Sequence, residues 1–99
     1  MTTDDFSFAL PPFKPDEAIV KLRRDLRELR GLTARGDSFE YRGQPVVSLT
    51  LEPDCIRARV VERPARTPHW EDRRLASGAD VRRFTEDVRR GLARWNEDE

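Results

Sequence analysis

Cys55 and His69 are the only thiol and the only imidazole in this 99-residue chain, which makes them the first candidates for chemistry. A thiolate beside an imidazole is the arrangement of a cysteine nucleophile and its general base. Cys55 opens a predicted strand and His69 falls in a long connection, so the two can come close. The sequence marks no Asn or Asp as an orienting group, and it offers no glycine-lined oxyanion site. We therefore favour a half-buried thiol and a surface imidazole.

His69, Glu71 and Asp72 are three potential metal ligands within four residues. A catalytic metal needs three ligands aimed at one point, whereas a strand would send Glu71 and Asp72 to opposite faces. One cysteine and one histidine also exclude an intramolecular disulfide and a four-ligand structural zinc site. We expect no enzyme activity, no metal and no cofactor, and we keep a small enzyme or metal site that uses Cys55 and His69 as the second alternative.

Arginine supplies the third candidate. The chain has 17 Arg against 2 Lys, a ratio that indicates GC-rich codons and hence a bacterial source. On the polar face of the predicted sheet, Arg42, Arg57 and Arg59 come together with Glu40 as the one matching acid. Nucleic-acid platforms stack bases on aromatic side chains, which this face lacks. The three arginines are a candidate surface for an acidic protein partner or for dimerisation, and the plain alternative is a solvated face.

The first of two predicted helices runs over residues 15–30. Pro15 suits the first helical position, and Gly31 is a natural C-terminal cap. Apolar residues recur at spacings of three and four along one side, which is the pattern of an amphipathic helix. This stripe consists of Ile19, Leu22, Leu26 and Leu29.

The second helix is predicted over residues 78–96. Ser77 and Asp80 approximate a capping box at its start. Its apolar stripe consists of Val81, Phe84, Val88, Leu92 and Trp95. A glycine inside a helix costs up to about 1 kcal/mol against alanine, so Gly91 indicates a close approach to the first helix.

Three strands are predicted between the helices, over residues 38–42, 46–52 and 55–62, because apolar residues alternate there between short turns. Their shared apolar face consists of Phe39, Tyr41, Val47, Leu49, Leu51, Ile56, Ala58 and Val60. The stretch 63–76 is either a functional loop or a fourth, edge strand over about 67–74. The strand over 55–62 is the more hydrophobic edge of this meander, and we take it as the first candidate for a dimer contact.

These elements predict an α+β fold, a two-layer sandwich in the order α-β-β-β-(short β or loop)-α. The antiparallel meander has three to four strands, and both helices cover one face. The domain spans residues 15–96, between an apolar and acidic leader over 1–14 and an acidic tail over 97–99. In the leader, Phe6 and Phe8 alternate with Leu10, so they pack across the domain as a lid or dock on a partner.

Composition limits the class of protein. Leu, Ile, Val and Phe together number 23 and the net charge is zero, so the chain has enough apolar residues to fold. It has no apolar run of the roughly 18 residues that a membrane helix needs. The acidic start also lacks the basic opening of a secretory signal, which predicts a cytoplasmic protein with no membrane partner.

The order of one helix, three strands and one helix resembles that of the double-stranded RNA-binding domain. The second helix of that family begins with a lysine-rich phosphate clamp, and here Ser77-Gly78-Ala79-Asp80 supplies no base and one acid. Arg82 and Arg83 follow half a turn later. The resemblance implies an RNA-binding module as the first alternative, although a neutral chain is not typical of nucleic-acid binders. We expect a non-catalytic interaction or accessory module whose partner is another protein or a second copy, with Arg42, Arg57, Arg59, Phe6 and Phe8 as its candidate contact residues.

Overall fold

The first helix, α1, spans Pro15–Arg27 in the computed structural model, which describes residues 12–97. Pro15 occupies the first turn together with Asp16 and Glu17, whose carboxylates face the positive end of the helix dipole. The helix ends three residues before the predicted boundary, and Leu29 packs against the core from the turn that follows. Gly31 then reverses the chain direction with a φ of 102°, a conformation that favours glycine.

The second helix, α2, spans Gly78–Glu97, within one residue of its predicted end. The predicted cap forms in a variant of the capping box. The Asp80 N–H donates to the Ser77 hydroxyl at 3.1 Å, and the Asp80 carboxylate accepts from the N–H of Ala76, one residue before the N-cap, at 3.0 Å. The reason for Gly91 differs from the predicted approach of α1. A Cβ on Gly91 would lie 3.2 Å from Cζ2 of Trp95, on the next turn of the same helix.

Five antiparallel strands follow one another in both sequence and space. They are β1 (Leu32–Arg35), β2 (Ser38–Tyr41), β3 (Gln44–Leu51), β4 (Ile56–Val61) and β5 (Trp70–Leu75). The predicted fold class and element order are therefore confirmed, with one strand more than the largest number expected. The stretch 63–76, which was predicted to be either a loop or an edge strand, contains the edge strand β5.

The unpredicted strand β1 buries only Leu32, so it shows no alternation of apolar and polar residues. Its position is set by two consecutive hairpins. Gly36-Asp37 joins β1 to β2, and Arg42-Gly43 joins β2 to β3 with φ angles of 54° and 84°. Positive φ at both residues of the Arg42-Gly43 turn matches the twist of paired strands, whereas in the Gly36-Asp37 turn only Gly36 has a positive φ, of 59°. Both loops have two residues, and this loop length fixes the register of the hairpins.

The strand predicted over 55–62 is not an edge, because β4 pairs with β3 on one side and with β5 on the other. Its proposed role as the dimer contact is therefore wrong. The exposed edges of the sheet are β1 and β5. The apolar character of β4 reflects its central position, where both neighbours shield it from water.

Both helices cover one face of the sheet, as predicted. Helix α1 lies beside β1 and β3, and α2 lies beside β5. Buried residues from both helices and all five strands form one core, and Phe13 and Trp70 pack against its margin. Leu51 is the exception on the predicted apolar face, since its side chain is 48% exposed.

Val46 and Val47 are both fully buried although they are neighbours in β3. The pairing of β2 with β3 shifts between Phe39 and Glu40, so Val46 is an extra residue on its strand. Such a bulge bends the strand locally. It lets two consecutive valines enter the core, which strict alternation would not predict.

Two predictions lie outside the described residues. These are the docking of Phe6 and Phe8 and the acidic tail beyond Glu97. Within residues 12–97, no helix has both the length and the hydropathy that crossing a bilayer would require.

Candidate interaction surface

Cys55 and His69 do not form a catalytic pair. Cys55 precedes β4, whereas the His69 carbonyl accepts a hydrogen bond from the N–H of Glu62, just beyond the other end of β4. The two residues therefore lie at opposite ends of this strand, on the order of 20 Å apart at about 3.3 Å per residue. A proton cannot pass directly between their side chains over that distance.

The Cys55 side chain is completely buried, and its thiol donates a hydrogen bond to Oε1 of Glu52 at 3.4 Å. Burial raises the pKa of the Cys55 thiol above its ordinary value, and the bond to Glu52 raises it further. Glu52, Asp54 and Cys55 place one ligand atom each within 4.8 Å of one another. A protonated thiol is a poor metal ligand, and both carboxylates are engaged with arginines of the sheet.

We expect Cys55 to react more than about tenfold more slowly with a thiol reagent in the folded protein than in denaturant, because the thiolate is both buried and disfavoured. The measurement is the labelling rate at one pH with and without denaturant. Since the folded state binds this proton more tightly, the contribution to stability is present below the pKa of an unfolded cysteine. It is lost as the pH rises through the raised pKa of the folded state. Equal labelling rates would show an accessible thiolate, as a nucleophile requires.

Glu71 and Asp72 point to opposite faces of β5, as predicted for consecutive strand residues. Asp72 faces away from the helices and pairs with Arg59 at 3.3 Å. Arg73 lies on the helix side, where it donates to Asp87 of α2 at 2.8 Å and to Glu71 at 3.4 Å. The hydrogen bond to Asp87 raises the pKa of the Arg73 guanidinium. This half-buried contact connects the edge strand to the helix layer.

The face of the sheet that the helices leave uncovered carries the candidate surface. Arg57 and Arg59 project from the centre of this face, on β4. The expectation that they lack matching acids is wrong. Arg57 lies 3.6 Å from Glu52 and Arg59 lies 3.3 Å from Asp72.

Two further ion pairs on this face involve Arg74 with Asp54 at 3.2 Å and Arg35 with Glu40 at 3.5 Å. Among the described residues, four arginines of the uncovered face thus each have a carboxylate partner. The carboxylates come from neighbouring strands and from the turn between β3 and β4. Residue charge alone could not predict these pairs, since they depend on strand register.

Arg42 does not belong to this surface. It occupies the turn between β2 and β3 with a positive φ, and its guanidinium carbon lies 5.3 Å from the ring centre of Tyr41. Tyr41 belongs to the core beneath the helices. The prediction placed Arg42 by continuing the alternation of β2, but the strand ends one residue earlier.

Trp70 and Arg74 are the surface residues that the sequence did not assign to this face. The guanidinium carbon of Arg59 lies 4.8 Å from the ring centre of Trp70, within the range of a cation–π contact. Register explains the placement, because Arg59 pairs with Asp72 and Arg57 pairs with Arg74, and Trp70 alternates in phase with Asp72 and Arg74 along β5. The available signal was the alternation of Trp70, Asp72 and Arg74 along a strand that the sequence left undecided.

Comparison of the chain with protein-family models, curated proteins and solved structures finds no match. The surface must therefore be interpreted from its own geometry. It combines ion pairs at the sheet centre with one half-buried tryptophan at the margin. The resemblance to the double-stranded RNA-binding domain also becomes weaker, because the sheet has five strands and α2 begins with Gly78 and Ala79 rather than with basic residues.

Proposed function

We propose that this chain is a small bacterial, cytoplasmic binding module without catalytic activity, whose uncovered sheet face recognises an acidic protein partner. The observation that carries the proposal is the pairing of Arg57 directly opposite Arg74 on adjacent strands. Like charges in this position destabilise a sheet. Their presence at an exposed site is readily explained if the two guanidinium groups serve to bind carboxylates.

The present counter-ions of the two arginines come from one turn. Glu52 pairs with Arg57 and Asp54 pairs with Arg74, and all four side chains are substantially exposed. An exposed ion pair contributes only about 0–1 kcal/mol. A partner's carboxylates can therefore replace Glu52 and Asp54 at a small cost in free energy. The planar guanidinium groups of Arg57 and Arg74 suit bidentate contacts with such carboxylates.

Trp70 supplies the apolar element that such an interface needs. It is half-buried at the margin of the face and stacks with Arg59. Tryptophan and arginine are the residue types most enriched among those that dominate binding energy at interfaces. The three arginines Arg57, Arg59 and Arg74 together with Trp70 form the proposed contact region.

Reversing the charge of Arg57 and Arg59 together is expected to abolish partner capture and to leave the circular dichroism spectrum unchanged, because both side chains are exposed. The measurement compares the proteins retained from the native host by immobilised wild type and by the double variant Arg57→Glu/Arg59→Glu. The matched control is Arg90→Glu/Arg94→Glu, which makes the same change of charge on the exposed side of α2. An unchanged set of retained proteins in the first variant would overturn the proposed surface.

Duplex RNA provides the contrasting outcome. An RNA-binding module would retain duplex RNA with an affinity that falls steeply as salt rises, because bound arginines release counterions from the phosphates. The proposed protein interface predicts no retention at about 50 mM salt, where nonspecific phosphate contacts are still favourable. If the wild type retains duplex RNA and the variant Arg57→Glu/Arg59→Glu does not, the ligand of this surface is RNA rather than an acidic protein.

A further inference from the structure

The outer edge of β5 has unpaired backbone groups at alternating positions. Glu62 donates its N–H to the His69 carbonyl at 3.0 Å, so hydrogen-bonded pairs between β4 and β5 recur at every second residue from there. Glu71, Arg73 and Leu75 therefore turn their backbone groups inward, toward β4. The backbone groups of Trp70, Asp72 and Arg74 point outward, where no strand of residues 12–97 pairs with them.

We propose that β5 pairs antiparallel with β5 of a second copy of this chain, with the two-fold axis at Asp72. The proposal does not rest on the acidic partner, because its backbone pairing uses the edge of the sheet, although Trp70 and Arg74 take part in both proposed contacts. A two-fold axis perpendicular to the sheet joins identical edges antiparallel and continues each face into the other copy. Residues that lie opposite each other across the axis must then point to the same face of the sheet. Because side chains alternate along a strand, such residues are an even number of positions apart, and the axis passes through a residue rather than between two residues.

The charges of β5 favour the register centred on Asp72. In this register Glu71 lies opposite Arg73 of the second copy, and Trp70 lies opposite Arg74. Symmetry repeats both pairs, which gives two opposite-charge pairs and two cation–π pairs. A register centred on Arg73 would place that arginine opposite itself and Glu71 opposite Leu75. It would keep two opposite-charge pairs, Asp72 with Arg74, but it would lose both pairs of Trp70 with Arg74.

The Asp72 register also uses the outward backbone groups. Trp70, Asp72 and Arg74 would all become members of hydrogen-bonded pairs, because outward-pointing residues meet outward-pointing ones. The two Asp72 carboxylates approach each other at the axis, which opposes the pairing. Each carboxylate already lies 3.3 Å from Arg59 on its own β4, so much of this repulsion is compensated within each copy.

Charged residues on an edge strand usually prevent uncontrolled pairing with other chains. The mixed signs along β5 disfavour registers that align like charges, and the pairs of Trp70 with Arg74 favour the register centred on Asp72, so the same side chains make the pairing selective. The opposite edge, β1, has only four residues and a single buried side chain. A six-residue edge buries a small area, so we expect a dimer that dissociates on dilution.

The test replaces Asp72 by proline and by asparagine. Asp72→Pro removes an N–H that points away from β4. The monomer therefore keeps the backbone hydrogen bonds between β4 and β5, while the dimer loses both of its central hydrogen bonds. Asp72→Asn keeps that N–H and removes the repulsion at the axis. Sedimentation equilibrium of the full chain is expected to approach twice the 11.6 kDa chain mass for the wild type. The dissociation constant is expected to rise more than tenfold in Asp72→Pro and to fall in Asp72→Asn.

A second variant covers the case in which Asp72→Pro does not fold. Glu71→Arg places arginine opposite Arg73 of the second copy. Within one chain it replaces an exposed ion pair at 3.4 Å by a like charge, and Arg73 keeps its bond to Asp87 at 2.8 Å. It is expected to dissociate the dimer with an unchanged circular dichroism spectrum. A wild type that stays at the monomer mass across micromolar concentrations overturns the proposal. A dimer that is weakened neither by Asp72→Pro nor by Glu71→Arg also overturns it. Neither outcome bears on the acidic partner, which is tested at Arg57 and Arg59.

Discussion

Trp95→Ala is expected to lower the free energy of unfolding by about 3–5 kcal/mol, the range for truncating a large buried aromatic side chain. Trp95 is 2% exposed and packs at a tilt against Tyr41, with ring centres 5.7 Å apart. Its Nε1–H also donates to the Glu62 carbonyl at 3.0 Å. One side chain thus joins the end of α2 to β2 and to the end of β4, and the alanine variant loses apolar burial together with a hydrogen bond.

Denaturant titration of both proteins measures this difference. Trp95→Phe is the matched control, because it keeps an aromatic ring near Tyr41 and removes the indole N–H. It is expected to lose less, with about 0.5–1.5 kcal/mol attributable to the lost hydrogen bond to the Glu62 carbonyl. A domain is usually stable by only about 5–15 kcal/mol, so Trp95→Ala removes a large share. A loss below about 1 kcal/mol in the alanine variant would contradict the packing of Trp95.

The helices could be predicted from the sequence because their signals are local. The stripe of Ile19, Leu22 and Leu26 has the period of a helix and becomes its buried side. The Ser77–Asp80 capping pair marked the start of α2 at the correct residue. In both cases the residues that determine the element lie within it or next to it.

The strands depend more on their neighbours. A strand at the edge needs no apolar alternation, since pairing on one side holds it in place, and β1 illustrates this with Leu32 as its one buried residue. The two-residue Gly36-Asp37 turn was the available signal for the missing hairpin. Whether β4 is central or an edge depends on whether β5 forms. The sequence of 63–76 did not decide this, because Pro64 and Pro68 interrupt the strand pattern there.

The candidate surface was predicted in part. Alternation placed Arg57 and Arg59 correctly on the polar face of β4. The same rule failed for Arg42, because the chain leaves the strand at Tyr41 and turns with positive φ. The partners of the arginines could not be predicted, because a carboxylate 13 residues away, as for Arg59 and Asp72, becomes a neighbour only through cross-strand register.

Gly31→Ala is expected to lower the free energy of unfolding by about 1–3 kcal/mol, because alanine is strained at a φ of 102°. The added Cβ would also lie 3.4 Å from Cε1 of Tyr41 and 3.7 Å from Cδ2 of Leu92. Rotating the backbone to relieve φ would therefore move the segment between α1 and β1 against two buried side chains. Strain that cannot relax locally persists in the folded state, and denaturant titration measures its cost.

Gly36→Ala measures the cost of a milder positive φ without neighbouring side chains. Gly36 has a φ of 59° in the hairpin between β1 and β2, and a Cβ there would meet nothing within 4 Å. Its expected loss is about 1 kcal/mol, the cost of the left-handed conformation for alanine. Gly31→Ala is expected to exceed this value, because its φ of 102° lies farther from the left-handed minimum at about 57° and the core beside Tyr41 limits relaxation. Equal losses in the two variants would show that the segment after α1 relaxes its backbone strain freely and that the buried side chains of Tyr41 and Leu92 do not hold it in place.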